Sequence, residues 1–189
     1  MVDKLQLDEE LMQYFNNVIE VRNNFELYKM IKAEPSLDKV NKHAHIFVTV
    51  INSLEYAFIM QLYKLLEEKE EKNLFTMIKL CNNNIKHFSN KEKINNELKG
   101  LDLYLKDNQG IITNITNMRD KFFAHSDRKY FKIPNKVFND NSIKNEELED
   151  LIKNIYKFVK SIYANLQPIM IIDWVEEMEN EWNCIIRNI

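Results

Sequence analysis

The sequence predicts an all-α protein, an antiparallel bundle of four long helices plus short additional helices, and three observations carry that prediction. Only two glycines and three prolines occur in 189 residues, whereas an average chain holds about 7% glycine. Sandwiches, barrels and doubly wound sheets need many turn residues with positive φ, which this composition does not supply. Apolar residues recur in steps of three and four, and Pro, Ser, Asn or Gly stand where those rows begin or end. The length fits one domain, residues 1–189, with 168–189 as an appended C-terminal helix. Such a chain buries roughly 70% of its unfolded surface and needs no disulfide or metal to hold it.

Taken in order, the first helix spans about Leu7 to Lys32, with Leu11, Phe15, Val18, Arg22 and Phe25 on one face. Pro35-Ser36-Leu37-Asp38 reads as a turn capping a second helix, Asp38 to about Lys69, whose apolar row is Ala44, Phe47, Ile51, Phe58, Leu62 and Leu65. Glu55 is embedded in that row. Asn73 caps a short helix through Leu74, Met77, Ile78 and Cys81, and Ser89 caps another from Lys91 to Leu98, stopped near Gly100. Ile111, Ile115, Met118, Phe122 and His125 form the row of a helix that follows Gly110. Pro134 and the polar cluster Asn139 to Ser142 make residues 128–145 a loop, the best candidate for a mobile or substrate-facing segment. A long helix from Glu146 to about Leu166 has acids placed for its N-terminal dipole and ends at Pro168. The last helix, about Ile171 to Ile186, carries Val175, Met178, Trp182 and Ile185 on one side.

The same composition excludes functions. Dinucleotide loops, Walker-type phosphate loops and nucleophile elbows need closely spaced glycines, and Gly100 and Gly110 cannot provide them. A net charge of −3 gives no global sign of a polyanion binder, so any such site must be local. Cys81 and Cys184 are too few for a disulfide framework, and no basic-then-apolar leader opens the chain, which points to a cytoplasmic setting with reduced thiols. The apolar runs are interrupted by Glu, Lys or Asn every few residues, so no membrane span is expected.

One segment concentrates reactive side chains. From Arg119 to Lys132 five Lys/Arg stand against two Asp, a local excess of +3, interleaved with Phe122, Phe123, Tyr130 and Phe131. Cations beside aromatic rings suit phosphates and unstacked bases. A helix C-terminus also favours cations through its dipole, with the aromatic residues in the core.

Arg119, the polar Asp120 directly after it, and His125 six residues on, near the end of a bundle helix, resemble the motif of the HEPN superfamily of helical nucleotide-binding and ribonuclease domains. The wider string Met-Arg-Asp-Lys-Phe-Phe-Ala-His-Ser-Asp, residues 118–127, looks most like that superfamily's abortive-infection subgroup. The resemblance implies a HEPN-like bundle and metal-independent RNA cleavage, in which the ribose 2′-hydroxyl attacks the adjacent phosphate and leaves a 2′,3′-cyclic end. It further implies a homodimer with two motifs facing across a cleft, an RNA target, a role in phage defence or as a toxin with an antitoxin partner, and no cofactor. His125 suits proton transfer near neutral pH, Arg119 suits the charge building on the phosphoryl oxygens, and Asp120 suits orienting either one. Lys121, Arg128 and Lys129 are the expected phosphate-binding cations.

Geometry constrains this reading. Six steps of about 100° put Arg119 and His125 roughly 120° apart on an ideal helix, so they converge only where the helix ends or across two chains. Arg119 near an apolar face needs a carboxylate or phosphate partner, and Glu55 is the candidate structural partner. His43, His45 and His87 have no metal-ligand spacing with the cysteines, so no metal is expected. The alternative reading is a noncatalytic helical bundle of the same type that binds a nucleotide, RNA or protein through Arg119 and His125.

Overall fold

A computed structural model describes residues 2–120, 143–167 and 174–188, with the side chains at 34–37 and 174 excepted. All regular structure among the described residues is helical: α1 Lys4–Lys32, α2 Glu34–Lys42, α3 Ala44–Leu66, α4 Leu74–Asn83, a 3-10 turn Ile85–His87, α5 Lys91–Asp107, α6 Gln109–Met118, α7 Asn145–Leu166 and α8 Trp174–Asn188. The four longest described helices are α1, α3, α5 and α7; α1, α3 and α7 are long in the periodicity, whereas α5, expected as a short helix from Lys91 to Leu98, runs on to Asp107. α1 packs between α3 and α7, α7 lies against α5, and α6 closes the ring between α3 and α5. Asn24, Tyr28 and Lys32 of α1 meet Gln61, Phe58 and Glu55 of α3 in turn, and Phe15 and Arg22 meet Tyr163 and Tyr156 of α7, so both neighbours run antiparallel to α1.

The core is built from the predicted rows. Leu11, Phe15, Val18 and Phe25 of α1 are buried with Phe58, Leu62 and Leu65 of α3 and Leu148, Leu151, Ile155 and Ile162 of α7. Phe25, Tyr28 and Phe58 meet edge to face or offset, with centroids 5.3–6.3 Å apart, the arrangement ring quadrupoles favour. A satellite cluster, Ile31, Val40 and Trp182, joins the tip of α1, α2 and α8, with Phe47 edge-on to Trp182. Ile185 points outward and Ile186 takes the inward place expected of it.

Several boundaries differ from the sequence expectation. Pro35 lies in the first turn of α2, where its missing N–H would be unsatisfied in any case. The single helix expected over 38–69 is two helices broken at His43, whose φ/ψ of −117°/34° redirects the chain. The break lets Val40 bury against Ile31 while α3 runs back along α1. Asn90, not Ser89, caps α5; Ser89 is held by Asn165 at the end of α7. Gly100 does not stop α5, because the ring of Phe158 on α7 sits 3.0 Å from where its Cβ would be, making glycine a packing choice. Glycine in a helix interior costs about 1 kcal/mol relative to alanine, and a close helix approach offsets it. Contrary to the expectation of no candidate span, α3 is long and apolar enough by composition to cross a membrane. Its C-terminal half is core, while Ile46 and Val48 in its first half are 65% and 53% exposed.

Candidate functional site

α6 positions the motif. Ile112, Ile115 and Met118 are buried, so this stripe faces α3 and α5. Arg119, four residues after Ile115, falls at the edge of that stripe, where a long side chain keeps its stem on apolar surface and its head near solvent. Its side chain is 28% exposed. Regular α geometry stops at Met118 and Arg119-Asp120 continue as a π turn, a deviation that recurs at functional sites.

Three contacts define the Arg119 guanidinium. Its Cζ lies 4.4 Å from the ring centroid of Tyr63 on α3, within the range of a favourable cation–π stack. Nη1 donates to Asp120 Oδ1 at 2.7 Å. Nε is buried without a hydrogen-bond partner among the described residues. An unmet buried donor costs about 1–3 kcal/mol, and a phosphate oxygen is the kind of acceptor that relieves it. The Asp120 hydrogen bond outweighs burial and raises the Arg119 pKa above its ordinary value, so the cation is permanent. Burial also raises the Tyr63 phenol; Arg119 works against this while Glu67, Glu70 and Asp120 add to it, so Tyr63 serves as a neutral ring.

Arg119 thus finds its partners in Asp120 and Tyr63, and the expected Glu55 partnership is replaced. Glu55 lies eight residues before Tyr63, roughly 12 Å back along α3, and its neighbouring charge is Lys32 on α1. Burial raises the Glu55 pKa and Lys32 opposes that rise. Tyr63 is the residue the sequence reading missed. The signal available was its place four after Ile59, beside the buried row, since an aromatic ring there offers a face to a neighbouring cation.

A groove of about 320 Å³ runs beside α6, floored by Leu66, Phe75 and Ile112 and rimmed by Lys69, Thr113 and Asn117. Glu67 also lines it, and Glu70 acts on Arg119 electrostatically, so the described surroundings of Arg119 are acidic as well as cationic. His125, Lys121, Arg128 and Lys129 lie outside the described residues. No three His, Cys, Asp or Glu side chains converge as metal ligands among the described residues. His43 and His45 are exposed, and His87 meets the Val2 carbonyl at 3.3 Å.

No curated protein and no solved structure matches this chain. A family model does: that of HEPN_AbiU2, described as AbiU2, matches residues 4–180, nearly the whole chain and every long helix of the bundle. With an all-helical fold and the Arg119-Asp120 pair at the end of a bundle helix, the chain belongs to the AbiU2 family of HEPN-type abortive-infection domains.

Proposed function

We propose that this chain is a metal-independent endoribonuclease that acts in phage defence or as a toxin, working as a homodimer on RNA. The observation that carries the reading is the held guanidinium of Arg119, stacked on Tyr63 and tied to Asp120. A cation fixed before substrate arrives stabilises charge developing on the phosphoryl oxygens without reorganising during the reaction. In this reading His125 removes the proton from the attacking 2′-hydroxyl and returns one to the leaving 5′-oxygen. Arg119 holds the non-bridging oxygens, Asp120 orients Arg119, and Lys121, Arg128 and Lys129 hold flanking phosphates.

The test incubates purified protein with mixed RNA in chelator, beside His125→Ala and Arg119→Ala variants that remain folded. Cleavage by wild type alone, leaving 2′,3′-cyclic phosphate ends, is the expected result. A second reading is favoured by the engagement of Nη1 with Asp120, which leaves less of the guanidinium for chemistry. In that reading Arg119 recognises a nucleotide, RNA or protein partner without catalysis, and binding without cleavage is its outcome.

A further inference from the structure

The seam between α1 and α7 carries a feature that the Arg119 site does not use. Lys153, Lys157 and Lys160 stand at i, i+4 and i+7 on α7, one stripe on one face. Like charges at this spacing mildly destabilise a helix, so helix formation does not account for them. α1 runs antiparallel beside the stripe and contributes Arg22, Glu26 and Lys29. Between the two helices lies a groove of about 320 Å³ lined by Arg22, Glu26, Glu149, Tyr156, Lys153 and Lys157, over the buried Ile152, a volume at the lower end of those that hold small ligands.

The groove's polar groups divide into two ends. At one, Lys29 bridges both acids, 3.1 Å from Glu26 and 3.0 Å from Glu149, so the two carboxylates share one ammonium. At the other, the Arg22 Cζ stacks 4.4 Å from the Tyr156 centroid and Lys160 Nζ reaches within 5.5 Å of the same ring. Lys153 and Lys157 are exposed and have no ion-pair partner among the described residues. Lys29, Lys153, Lys157 and Lys160 against Glu26 and Glu149 leave this seam at +2, while the whole chain is −3.

We infer that the α1/α7 groove is an anion site that takes the phosphate groups of a nucleotide or of an RNA strand, with Lys153 and Lys157 as its principal ligands and the Arg22–Tyr156 stack as its wall. The site is separate from Arg119. Arg119 sits against Tyr63 of α3 and Asp120, whereas the groove is lined by residues of α1 and α7 alone. Lys153 and Lys157 stand one turn apart, roughly 6 Å along the axis, so they can meet successive phosphates or the two ends of a short polyphosphate. The bridged acids at the Lys29 end bar the anion from sliding further along the seam.

The experiment measures binding of two probes to the full chain: a fluorescent 2′-O-methyl oligouridylate, which has no 2′-hydroxyl to attack phosphate, and inorganic tripolyphosphate. Neither readout depends on RNA cleavage, so an inactive enzyme leaves the test intact. Lys153→Gln/Lys157→Gln is expected to weaken binding about tenfold or more. For the oligonucleotide it should flatten the slope of log affinity against log salt by about 1.4, two contacts at roughly 0.7 each. Lys91→Gln/Lys93→Gln, an equal charge change on exposed positions of α5, should leave both probes unaffected. Loss confined to the oligonucleotide assigns the groove to a strand, and loss of tripolyphosphate binding assigns it to free nucleotide phosphates. Unchanged affinity for both probes in the groove variant, equal weakening in the α5 variant, or no saturable binding by wild type overturns the inference.

Discussion

At the scale of single residues, Tyr63 and Glu55 carry opposite consequences for the motif helix. If the Tyr63 ring orients Arg119, Tyr63→Phe keeps the face and should cleave RNA within about twofold of wild type, while Tyr63→Leu fills the space but removes the π system. A cation–π contact at a largely buried site is worth about 1 kcal/mol or more, so single-turnover cleavage by Tyr63→Leu should fall roughly fivefold or more. Equal rates for the Leu and Phe variants would show that the ring has no part in holding the guanidinium. Glu55 is tested by stability. Its carboxyl is desolvated and its folded pKa is raised, so between the ordinary 4.5 and that raised value the folded chain binds more protons than the unfolded one. Stability from this group is present below pH 4.5 and lost as pH rises through the window. Glu55→Gln should therefore melt at or above the wild-type temperature at pH 7, with the advantage vanishing near pH 4. A lower melting temperature at pH 7 would mean that Lys32 offsets the burial. The sequence made Arg119 and Asp120 legible because they sit in a motif, and it made Glu55 conspicuous as an acid in an apolar row. It could not say which partner each would meet, since that depends on the register of α3 against α1 and α6, and an (i, i+1) ion pair forms here where an ideal helix keeps such neighbours apart.

At the scale of elements, the two glycines separate propensity from packing. Gly110 lies in the first turn of α6 and an added methyl would meet nothing within 4 Å. Gly110→Ala should gain about 0.5–1 kcal/mol, or roughly 2–3 °C in a chain of this size. Gly100→Ala has the same propensity to gain but places its methyl 3.0 Å from Cε1 of Phe158. The partly exposed ring must shift, so this variant should fall short of the Gly110→Ala gain in thermal melts. A larger gain at Gly100 would show that the α5/α7 approach does not depend on glycine. The same pair explains what was readable in the chain. Helix existence followed from the three-and-four spacing, and the Asn73 cap was visible because its side chain meets the Thr76 N–H, with Thr76 reciprocating. A glycine stop and a capping serine were assigned from local preference alone. At Gly100 and Ser89 tertiary partners, Phe158 and Asn165, override that preference. The break at His43 was hidden for a related reason: no Pro or Gly marks it, and it is imposed by the need of α2 to cover the tip of α1 while α3 turns back.

At the scale of the whole molecule, a net charge of −3 conceals a division of labour among faces. The described surroundings of Arg119 hold Asp120, Glu67 and Glu70, so Arg119 alone does not make a polyanion cleft. The proposed cleft draws its remaining cations and its histidine from 121–129, and in a homodimer either chain can be their source. A chain with one motif builds a full site by symmetry only if residues from both copies enter it, and this can be tested without knowing the interface. Suppose each site pairs Arg119 of one protomer with His125 of its partner. Arg119→Ala and His125→Ala homodimers are then both inactive, but a mixed dimer has one site with both substitutions and one with neither. Equal amounts allowed to exchange subunits give about half mixed dimers with one intact site of two, so activity should return to about a quarter of wild type per protomer. If each protomer instead joins its own Arg119 to its own His125, every site in the mixture keeps a substitution and activity stays at the level of the single variants. Co-expression with two different tags, followed by tandem purification of the mixed dimer, raises the expected recovery to about half and removes any dependence on the exchange rate. A purified mixed dimer with no more activity than its parents would place the chemistry within one chain, whereas a protein that stays monomeric at working concentration and still cleaves RNA would eliminate the cleft altogether.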